Sequence, residues 1–299
     1  MENDTKVSFF FFVSVSFAFF ENFNLDKHLQ LWYNYYKLRK ERNNMPKFFV
    51  KGEQVNKGEI IILGDDVNHI KKVLRMDVGD TFNVCNDSNS ENYVVKIDRF
   101  EKDEIVCKIV ENIQTNAESN VKVHIYQGLP KADKMELIIQ KSVELGVEKI
   151  TPVEMKRCVV KLDGKDRIKK IERWQKIAEV AAKQSGRDII PEICSVKSVK
   201  DISKEFTDYN LVILCYENEK DVYLKECLKN LKEQVLSKNI DLKIAVIIGP
   251  EGGIDVSEVE LMQENGAKVV SLGNRILRTE TVSLSLLSII MYEFERNEI

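Results

Sequence analysis

The chain has 299 residues, of which 43% are hydrophobic and 31% charged, which is the composition of a globular protein long enough for two domains. Its formal net charge of −3 gives no general electrostatic attraction to nucleic acid, so any RNA binding must depend on local basic patches. The six cysteines include no C-x-x-C pair and the three histidines are isolated, which excludes the common zinc motifs and indicates the reduced thiols of a cytosolic protein.

Residues 1–44 differ in composition from the rest of the chain. They contain an apolar run from Val7 to Phe20 that is too short to span a bilayer comfortably. The run has neither the positive flank nor the small-residue cleavage site of a signal peptide. We favour the interpretation that translation begins at Met45 and that the preceding residues are an artefact of start assignment; the alternative is an anchor at a membrane surface. A peptide from residues 21–40 in the mass spectrum of the native protein would contradict our interpretation.

Residues 45–115 consist of short segments of alternating polarity, which predict a small β-barrel domain. The predicted strands are Lys47–Val50, Glu59–Leu63, Thr81–Val84, Asn92–Ile97 and Glu104–Val110. One helix interrupts them from Asp65 to Leu74, with Asp65 or Asp66 as its N-cap. Residues 111–120 are polar and without periodicity, so they are the predicted domain linker.

Residues 121–299 alternate between strand and helix patterns, which predicts an α/β domain with a mostly parallel sheet covered on both faces. The predicted strands are Val121–Tyr126, Lys149–Met155, Asn210–Cys215, Ile244–Ile248 and Ala267–Leu272. The predicted helices are Lys131–Leu145, Asp166–Gln184, Asp221–Leu236, Val256–Asn265 and Thr279–Phe294. The expected buried faces of the first two helices are Ala132, Met135, Ile139 and Val143, and Ile168, Ile171, Trp174, Ala178 and Ala181. The last helix is apolar almost all round, so it must be buried by the core or by a partner.

Two glycine-bearing loops follow two successive predicted strands near the end of this domain. The first is Gly249–Gly253, and the second begins at Gly273 and leads to Arg275 and Arg278. Neither loop matches a phosphate-binding loop or a dinucleotide fingerprint. Loops at the ends of strands in open α/β sheets commonly bind ligands, and loops rich in backbone groups suit a neutral or zwitterionic nucleoside better than a triphosphate. We therefore expect a ligand site between them.

These loops also carry a resemblance to a known family. Ile248–Gly253 and Leu272–Thr281 closely resemble the signatures of the ribosomal RNA small subunit methyltransferase E family, which belongs to the knotted SPOUT methyltransferases. The likeness extends over residues 45–299 and includes Lys131–Glu136 and Glu172–Ala178. In the first domain, His69, Val73, Leu74 and Arg75 fit the helix of a PUA-like RNA-binding barrel.

The resemblance implies transfer of a methyl group from S-adenosylmethionine to N3 of a specific uridine in the 16S ribosomal RNA of the small subunit. It further implies a trefoil knot, a homodimer formed through the last helix, a cytoplasmic location, and no metal or membrane partner. The residues that it assigns to cofactor binding are Leu214, Gly249, Glu251, Gly252, Gly253, Leu272, Gly273, Ile276 and Leu277.

The reaction requires loss of the N3 proton, because a neutral imide nitrogen is a poor nucleophile. We expect Arg278 to stabilise the developing uracil anion, and Glu280 either to remove the proton or to hold Arg278. Residues expected to contact RNA are Arg75, Lys131, Lys134 and Arg187. Two alternatives stay open, namely a related SPOUT enzyme that methylates a ribose 2′-hydroxyl and a non-catalytic RNA-binding or ribosome-assembly protein.

Overall fold

The computed structural model describes residues 45–115, 117–235 and 241–295, so our interpretation of residues 1–44 lies outside the described residues. The first sheet lies in the amino-terminal half of the described chain. The strands of this sheet are β1 (Lys47–Val50), β2 (Val55–Asn56), β3 (Glu59–Leu63), β4 (Thr81–Asn86), β5 (Asn92–Phe100) and β6 (Glu104–Ile113). Their order is β1-β4-β5-β6-β3-β2, with β1 parallel to β4 and the other neighbours antiparallel. Because the outer strands β1 and β2 do not pair with each other, the sheet is an open half-barrel rather than a closed barrel.

The predicted helix of the first domain is present, although its cap differs from the prediction. Helix α1 (Asp65–Asn68) continues as a π-helical turn over His69–Leu74. The N-cap is Gly64 and not an aspartate, because a backbone φ of 69° at this glycine turns the chain from β3 into the helix. The two aspartates occupy the first turn instead, where the helix dipole favours carboxylates.

The second sheet is parallel throughout, as predicted. Its strands are β7 (Val121–Gly128), β8 (Lys149–Glu154), β9 (Glu192–Ile193), β10 (Lys197–Ser198), β11 (Leu211–Cys215), β12 (Leu242–Ile248) and β13 (Lys268–Val270). The order is β10-β8-β7-β12-β11-β13, with β9 paired beside β8. The apolar run Ile244–Ile248 lies in β12, in the middle of the sheet, and is buried as its composition predicted.

The remaining helices are α2 (Lys134–Glu144), α3 (Gly164–Ser185), α4 (Val199–Ser203), α5 (Leu224–Val235), α6 (Val256–Glu264) and α7 (Thr279–Phe294). Two predicted core positions are wrong. Ala132 precedes α2 with a φ of 53° and is exposed, because the helix starts later than predicted. Ile168 on α3 is 63% exposed, so the core contacts of that helix begin farther along, with Trp174, Ala178 and Ala181 fully buried. The linker is also shorter than predicted, because β6 extends to Ile113.

Helix α7 has the predicted boundaries and packs against α2, α5, β7 and β12. Its buried positions are Thr279, Ser283, Leu286, Leu287, Ile290, Met291 and Phe294. The opposite side is not covered by the described part of the chain, since Tyr292 is 87% exposed and Ile289 is 42% exposed. The helix is therefore buried on one side only, and the trefoil knot and the homodimer stay predictions.

The two sheets have separate hydrophobic cores and are joined by polar contacts and by Phe49 of β1, which packs against the second core. The carboxylate of Asp188 accepts hydrogen bonds from Lys47 of β1 and from Thr115 of the linker. The ammonium of Lys183 on α3 lies 2.9 Å from the carboxylate of Asp66 on α1. These ion pairs fix the half-barrel on the end of α3.

Neither membrane-spanning helices nor clusters of potential metal ligands occur within residues 45–115, 117–235 and 241–295. In these ranges no helix combines the length and the hydropathy needed to cross a bilayer. Nor does any group of three or more histidine, cysteine, aspartate or glutamate side chains within them form a potential metal site.

Candidate active site

A cavity of about 730 Å³ lies at the carboxyl ends of β11, β12 and β13. The loops that follow these three strands form its walls, and the first residues of α2 and α7 complete it. Among the lining residues are Lys134, Cys215, Tyr216, Glu217, Glu219, Lys220, Tyr223, Gly249, Glu251, Gly253, Leu272, Gly273, Arg275, Ile276, Leu277, Arg278 and Thr279. This is the edge of the sheet where ligands bind in open α/β folds.

The glycine-rich loop after β12 is packed so closely that side chains would not fit. A Cβ atom at Gly249 would lie 2.7 Å from Cγ1 of Ile254, and one at Gly128, at the end of β7, would lie 2.7 Å from Cδ of Pro250. Gly253 also has a φ of 72°, which favours glycine. The loop is thus pressed against its neighbours and presents backbone groups to the cavity.

A chain of hydrogen bonds fixes this loop to the start of the last helix. The hydroxyl of Thr279 donates to the carbonyl oxygen of Gly249 at 2.8 Å, and Nε2 of Gln127 donates to the same hydroxyl at 2.9 Å. Both Gln127 and Thr279 are buried. Strand β7, the glycine loop and helix α7 are therefore held together at the cavity wall.

A three-residue charged cluster lies beside these contacts. The Lys134 ammonium is 3.0 Å from Oε1 of Glu251 and 3.3 Å from Oε2 of Glu280. Both carboxylate oxygens of Glu251 also accept from the backbone N–H of Lys131, at 3.1 and 3.2 Å. The hydrogen bond with Glu251 raises the pKa of Lys134. Burial acts to raise the pKa of Glu251, but bonds from its own backbone N–H and from Lys134 outweigh it and the pKa is lowered.

The two predicted catalytic residues occupy different environments. Arg278 is the N-cap of α7, lines the cavity, is exposed, and forms no ion pair within the described residues. Glu280 lies in the first turn of α7 with its side chain 16% exposed, is not part of the cavity lining, and pairs with Lys134. The expectation that Glu280 holds Arg278 is therefore wrong, because the Glu280 carboxylate forms its ion pair with Lys134 instead.

Most of the residues predicted to bind the cofactor lie together in the cavity wall. These are Gly249, Glu251, Gly253, Leu272, Gly273, Ile276 and Leu277. Leu214 and Gly252 do not line it: the Leu214 side chain is fully buried in β11, and a Cβ at Gly252 would lie 2.9 Å from the carbonyl oxygen of Arg157. Ile276 is 90% exposed, which is unusual for a large apolar side chain.

The third wall of the cavity was missed from the sequence. It is the loop after β11, which contributes Tyr216, Glu217 and Tyr223. Backbone hydrogen bonds between Ser271 and the residues on either side of Tyr223 place this loop beside the second glycine loop. The available signal was the polar stretch directly after the buried strand Leu211–Cys215, since neighbouring parallel strands end at one edge of a sheet.

The residues predicted to contact RNA are not equivalent in the structure. Arg75 is exposed directly after the π-helical turn that follows α1, and Lys131, whose backbone N–H bonds to Glu251, is exposed as well. Lys134 is engaged in the charged cluster. Arg187 is only 6% exposed, with its guanidinium bonded to Glu118 of the linker and to the carbonyl oxygens of Val143 and Val147. We therefore assign Arg187 to the structure of the domain junction and not to RNA binding.

Comparison with known families gives two matches on this chain. The family described as an RNA methyltransferase domain matches residues 117–291, and the family described as an RNA methyltransferase PUA domain matches residues 62–110. The two ranges correspond to the second and the first sheet. The predicted fold, a PUA-like domain followed by a SPOUT methyltransferase domain, is confirmed.

Comparison with individual proteins gives consistent relatives. The ribosomal RNA small subunit methyltransferase E of Bacillus subtilis is 38% identical over 234 residues, which is 78% of this chain and 90% of the relative. The protein of the same name from Aquifex aeolicus is 32% identical over 240 residues, 79% of this chain and 95% of the relative.

Two solved structures contain the cofactor that the resemblance implies. A methyltransferase from Legionella pneumophila in complex with S-adenosylmethionine is 28% identical, with a TM-score of 0.73 over 85% of this chain and 99% of that one. A ribosomal RNA small subunit methyltransferase E from Neisseria gonorrhoeae bound to S-adenosylmethionine is 26% identical, with a TM-score of 0.72 over 84% and 99%.

Proposed function

Because the chain belongs to the ribosomal RNA small subunit methyltransferase E family, we propose that it transfers a methyl group from S-adenosylmethionine to N3 of a uridine in 16S ribosomal RNA. Family membership identifies an RNA methyltransferase; the atom that receives the methyl group is our proposal. The observation that carries it is the position of Arg278, an exposed cation with no ion pair among the described residues, in the wall of the cavity formed by the glycine loops.

The cavity fits S-adenosylmethionine in size and in chemistry. A volume of about 730 Å³ is in the range of small-molecule sites, roughly 300–1,000 Å³. Gly273 has a φ of 106° and no atom within 4 Å of the position of a Cβ, so its backbone is open to a ligand. We propose that the loops at Gly249–Gly253 and Leu272–Leu277 hold the nucleoside and amino-acid parts of the cofactor. When bound, the cofactor supplies an activated methyl group on a sulfonium.

The protein contributes positioning and electrostatics to the reaction. The loops hold the reactants in line and exclude water, which can account for much of the rate. The Arg278 guanidinium stabilises the negative charge that forms on the uracil ring as the N3 proton leaves. Glu280 remains our candidate acceptor for that proton, although its carboxylate must first separate from Lys134. Arg75 and Lys131 are the exposed cations that we assign to RNA phosphates.

We also propose that two copies associate through the exposed side of α7, where Ile289 and Tyr292 are uncovered. An exposed aromatic and an exposed β-branched residue on one helix face are typical of a buried interface. A ribosomal substrate supports the cytoplasmic location that we propose for the enzyme.

The test of the proposed function is methyl transfer from labelled S-adenosylmethionine to small ribosomal subunits that lack the modification, followed by digestion and chromatography of the nucleosides. We expect the label in 3-methyluridine. Label in a 2′-O-methylated nucleoside would replace the proposed reaction by ribose methylation. Tight cofactor binding with no label in subunits or in free 16S RNA would indicate a non-catalytic RNA-binding protein.

A further inference from the structure

The cluster of Lys134, Glu251 and Glu280 joins three elements at one point. Lys134 is the first residue of α2, Glu251 belongs to the glycine-rich loop after β12, and Glu280 lies in the first turn of α7. The Lys134 ammonium lies within 3.3 Å of a carboxylate oxygen of each glutamate. Lys134 is the one cation within ion-pair distance of Glu280 in the described part of the chain.

The cluster carries one more negative charge than positive charge. Its lysine is shared between two carboxylates, so an approaching phosphate would meet a site of net negative charge. Lys134 is therefore poorly suited to the RNA contact predicted for it. The side chains are only partly exposed, at 30% for Lys134, 24% for Glu251 and 16% for Glu280, so their field is less screened than that of a surface ion pair.

The net negative charge of this cluster lies at the wall of the cavity. Lys134 and Glu251 both line it, and Glu217 approaches the same loop at Gly253. The cations Arg275 and Arg278 belong to the second glycine loop, which also lines the cavity. The glycine-rich loop thus brings a carboxylate to the cavity, and the second glycine loop brings two cations.

Resting on the proposed function, we infer that the Lys134–Glu251–Glu280 cluster makes the site distinguish the cofactor from its product by charge. Methyl transfer breaks the bond between sulfur and the methyl carbon and forms the bond from that carbon to N3. The electron pair of the broken bond stays on sulfur, which becomes neutral, and the N3 proton passes to a base. S-adenosylmethionine therefore carries one positive charge more than S-adenosylhomocysteine. A net negative cluster favours the former and promotes release of the latter.

Calorimetric dissociation constants for the two ligands, measured on the full chain at pH 8 without RNA, test this inference. In the native protein we expect tighter binding of S-adenosylmethionine. Glu251→Gln and Glu280→Gln each remove one negative charge at constant shape, so each should lower the preference about three- to tenfold, as estimated for one partly screened charge. Lys134→Met removes the positive charge and should change the preference in the opposite direction. Glu144→Gln on the surface of α2, paired with Lys141, is the matched control and should change neither constant.

The outcomes separate this inference from the function on which it rests. Equal weakening of both ligands by the glutamine variants would show a purely structural cluster and would overturn the inference alone. A change of the ligand preference in the same direction in Lys134→Met and in the glutamine variants would also overturn the inference alone. Failure of the native protein to bind either ligand would overturn both the inference and the proposed function.

Discussion

At the scale of single residues, the chemistry of the proposed reaction depends on Arg278. It is the N-cap of α7, so its backbone is fixed by the helix while its guanidinium extends into the cavity wall without a partner among the described residues. A preorganised cation of this kind costs no rearrangement when charge develops on the substrate.

Replacement of Arg278 by alanine should therefore lower kcat about 100- to 1,000-fold while leaving the affinity for S-adenosylmethionine largely intact. Single-turnover methylation and calorimetry measure the two quantities. Arg99→Ala is the control, because Arg99 is an exposed residue of the half-barrel that pairs with Asp98 and Glu101. Activity of the Arg278 variant within a few-fold of the native level would show that our assignment is wrong.

A second residue-scale prediction concerns His124, which the proposed mechanism does not use. His124 is 1% exposed in the centre of β7, and its ring nitrogens contact the hydroxyl groups of Tyr209 and Thr151. Burial, assisted by the nearby charges of Lys149 and Lys197, lowers the pKa of His124 to about 2. Below its ordinary pKa of about 6.5 the unfolded chain binds a proton that the folded chain does not.

The free energy of unfolding should therefore decrease as the pH falls from 7 towards 5. The contribution of His124 approaches about 1.4 kcal/mol per pH unit below its unfolded pKa. Urea titrations at several pH values measure this slope. His124→Gln cannot take up the proton, so its slope should be smaller by that amount. Identical slopes in the two proteins would refute the assignment.

At the scale of elements, the site depends on close packing between the end of β7 and the glycine-rich loop. A Cβ atom at Gly128 would meet the backbone nitrogen of Pro250 at 2.8 Å as well as its ring. Such a clash is not relieved by rotation of a side chain, because one of the two contacts is with the main chain. The loop must move instead.

We expect Gly128→Ala to weaken S-adenosylmethionine binding strongly and to cost about 1–3 kcal/mol of stability. Gly164→Ala is the matched control: Gly164 is the first residue of α3, has ordinary φ, and has no atom within 4 Å of a Cβ position. Calorimetry and thermal unfolding of both variants would decide the matter. Native cofactor affinity in Gly128→Ala would contradict the argument.

The sequence predicts features that depend on neighbouring residues better than contacts between distant parts of the chain. The start of α7 at Thr279 is set by neighbouring residues and is found as predicted. The Asp255 N-cap of α6 and its capping box with Glu258 are likewise set by residues close in the sequence. The partners of Lys134 and Arg187 are not local, since each side chain bonds groups from distant parts of the chain. Charge and position in the sequence do not distinguish an exposed cation from one whose charge is already paired within the protein. The sequence therefore predicts an RNA contact for both residues.

At the scale of the whole molecule, the two domains are joined by charged contacts, while α7 leaves one apolar side uncovered. Lys47, Asp188 and Lys183 tie the half-barrel to the end of α3 within the chain. No comparable contact within the described residues covers Tyr292 and Ile289. This difference argues that the first junction is complete and that the second surface is used between copies.

Analytical ultracentrifugation should accordingly show a dimer for the native protein. Tyr292→Glu places a charge in the proposed interface, where an unpaired buried charge is strongly unfavourable, and should shift the protein to a monomer. Circular dichroism should be unchanged, because the side chain is 87% exposed within one chain. Val180→Glu, at another exposed apolar position (61%), is the control and should remain dimeric. A monomeric native protein would exclude the proposed assembly.

The hydrogen bond between Thr279 and Gly249 determines when the site can form during synthesis of the chain. A chain is made from its first residue to its last, and its domains fold as they emerge. The glycine-rich loop leaves the ribosome before the helix whose hydroxyl holds it in place. A growing polypeptide that ends before Thr279 contains the loop but lacks both the hydroxyl group that holds it and the part of the cavity wall at the start of α7. Each copy of the enzyme thus becomes competent only after its own α7 has been synthesised.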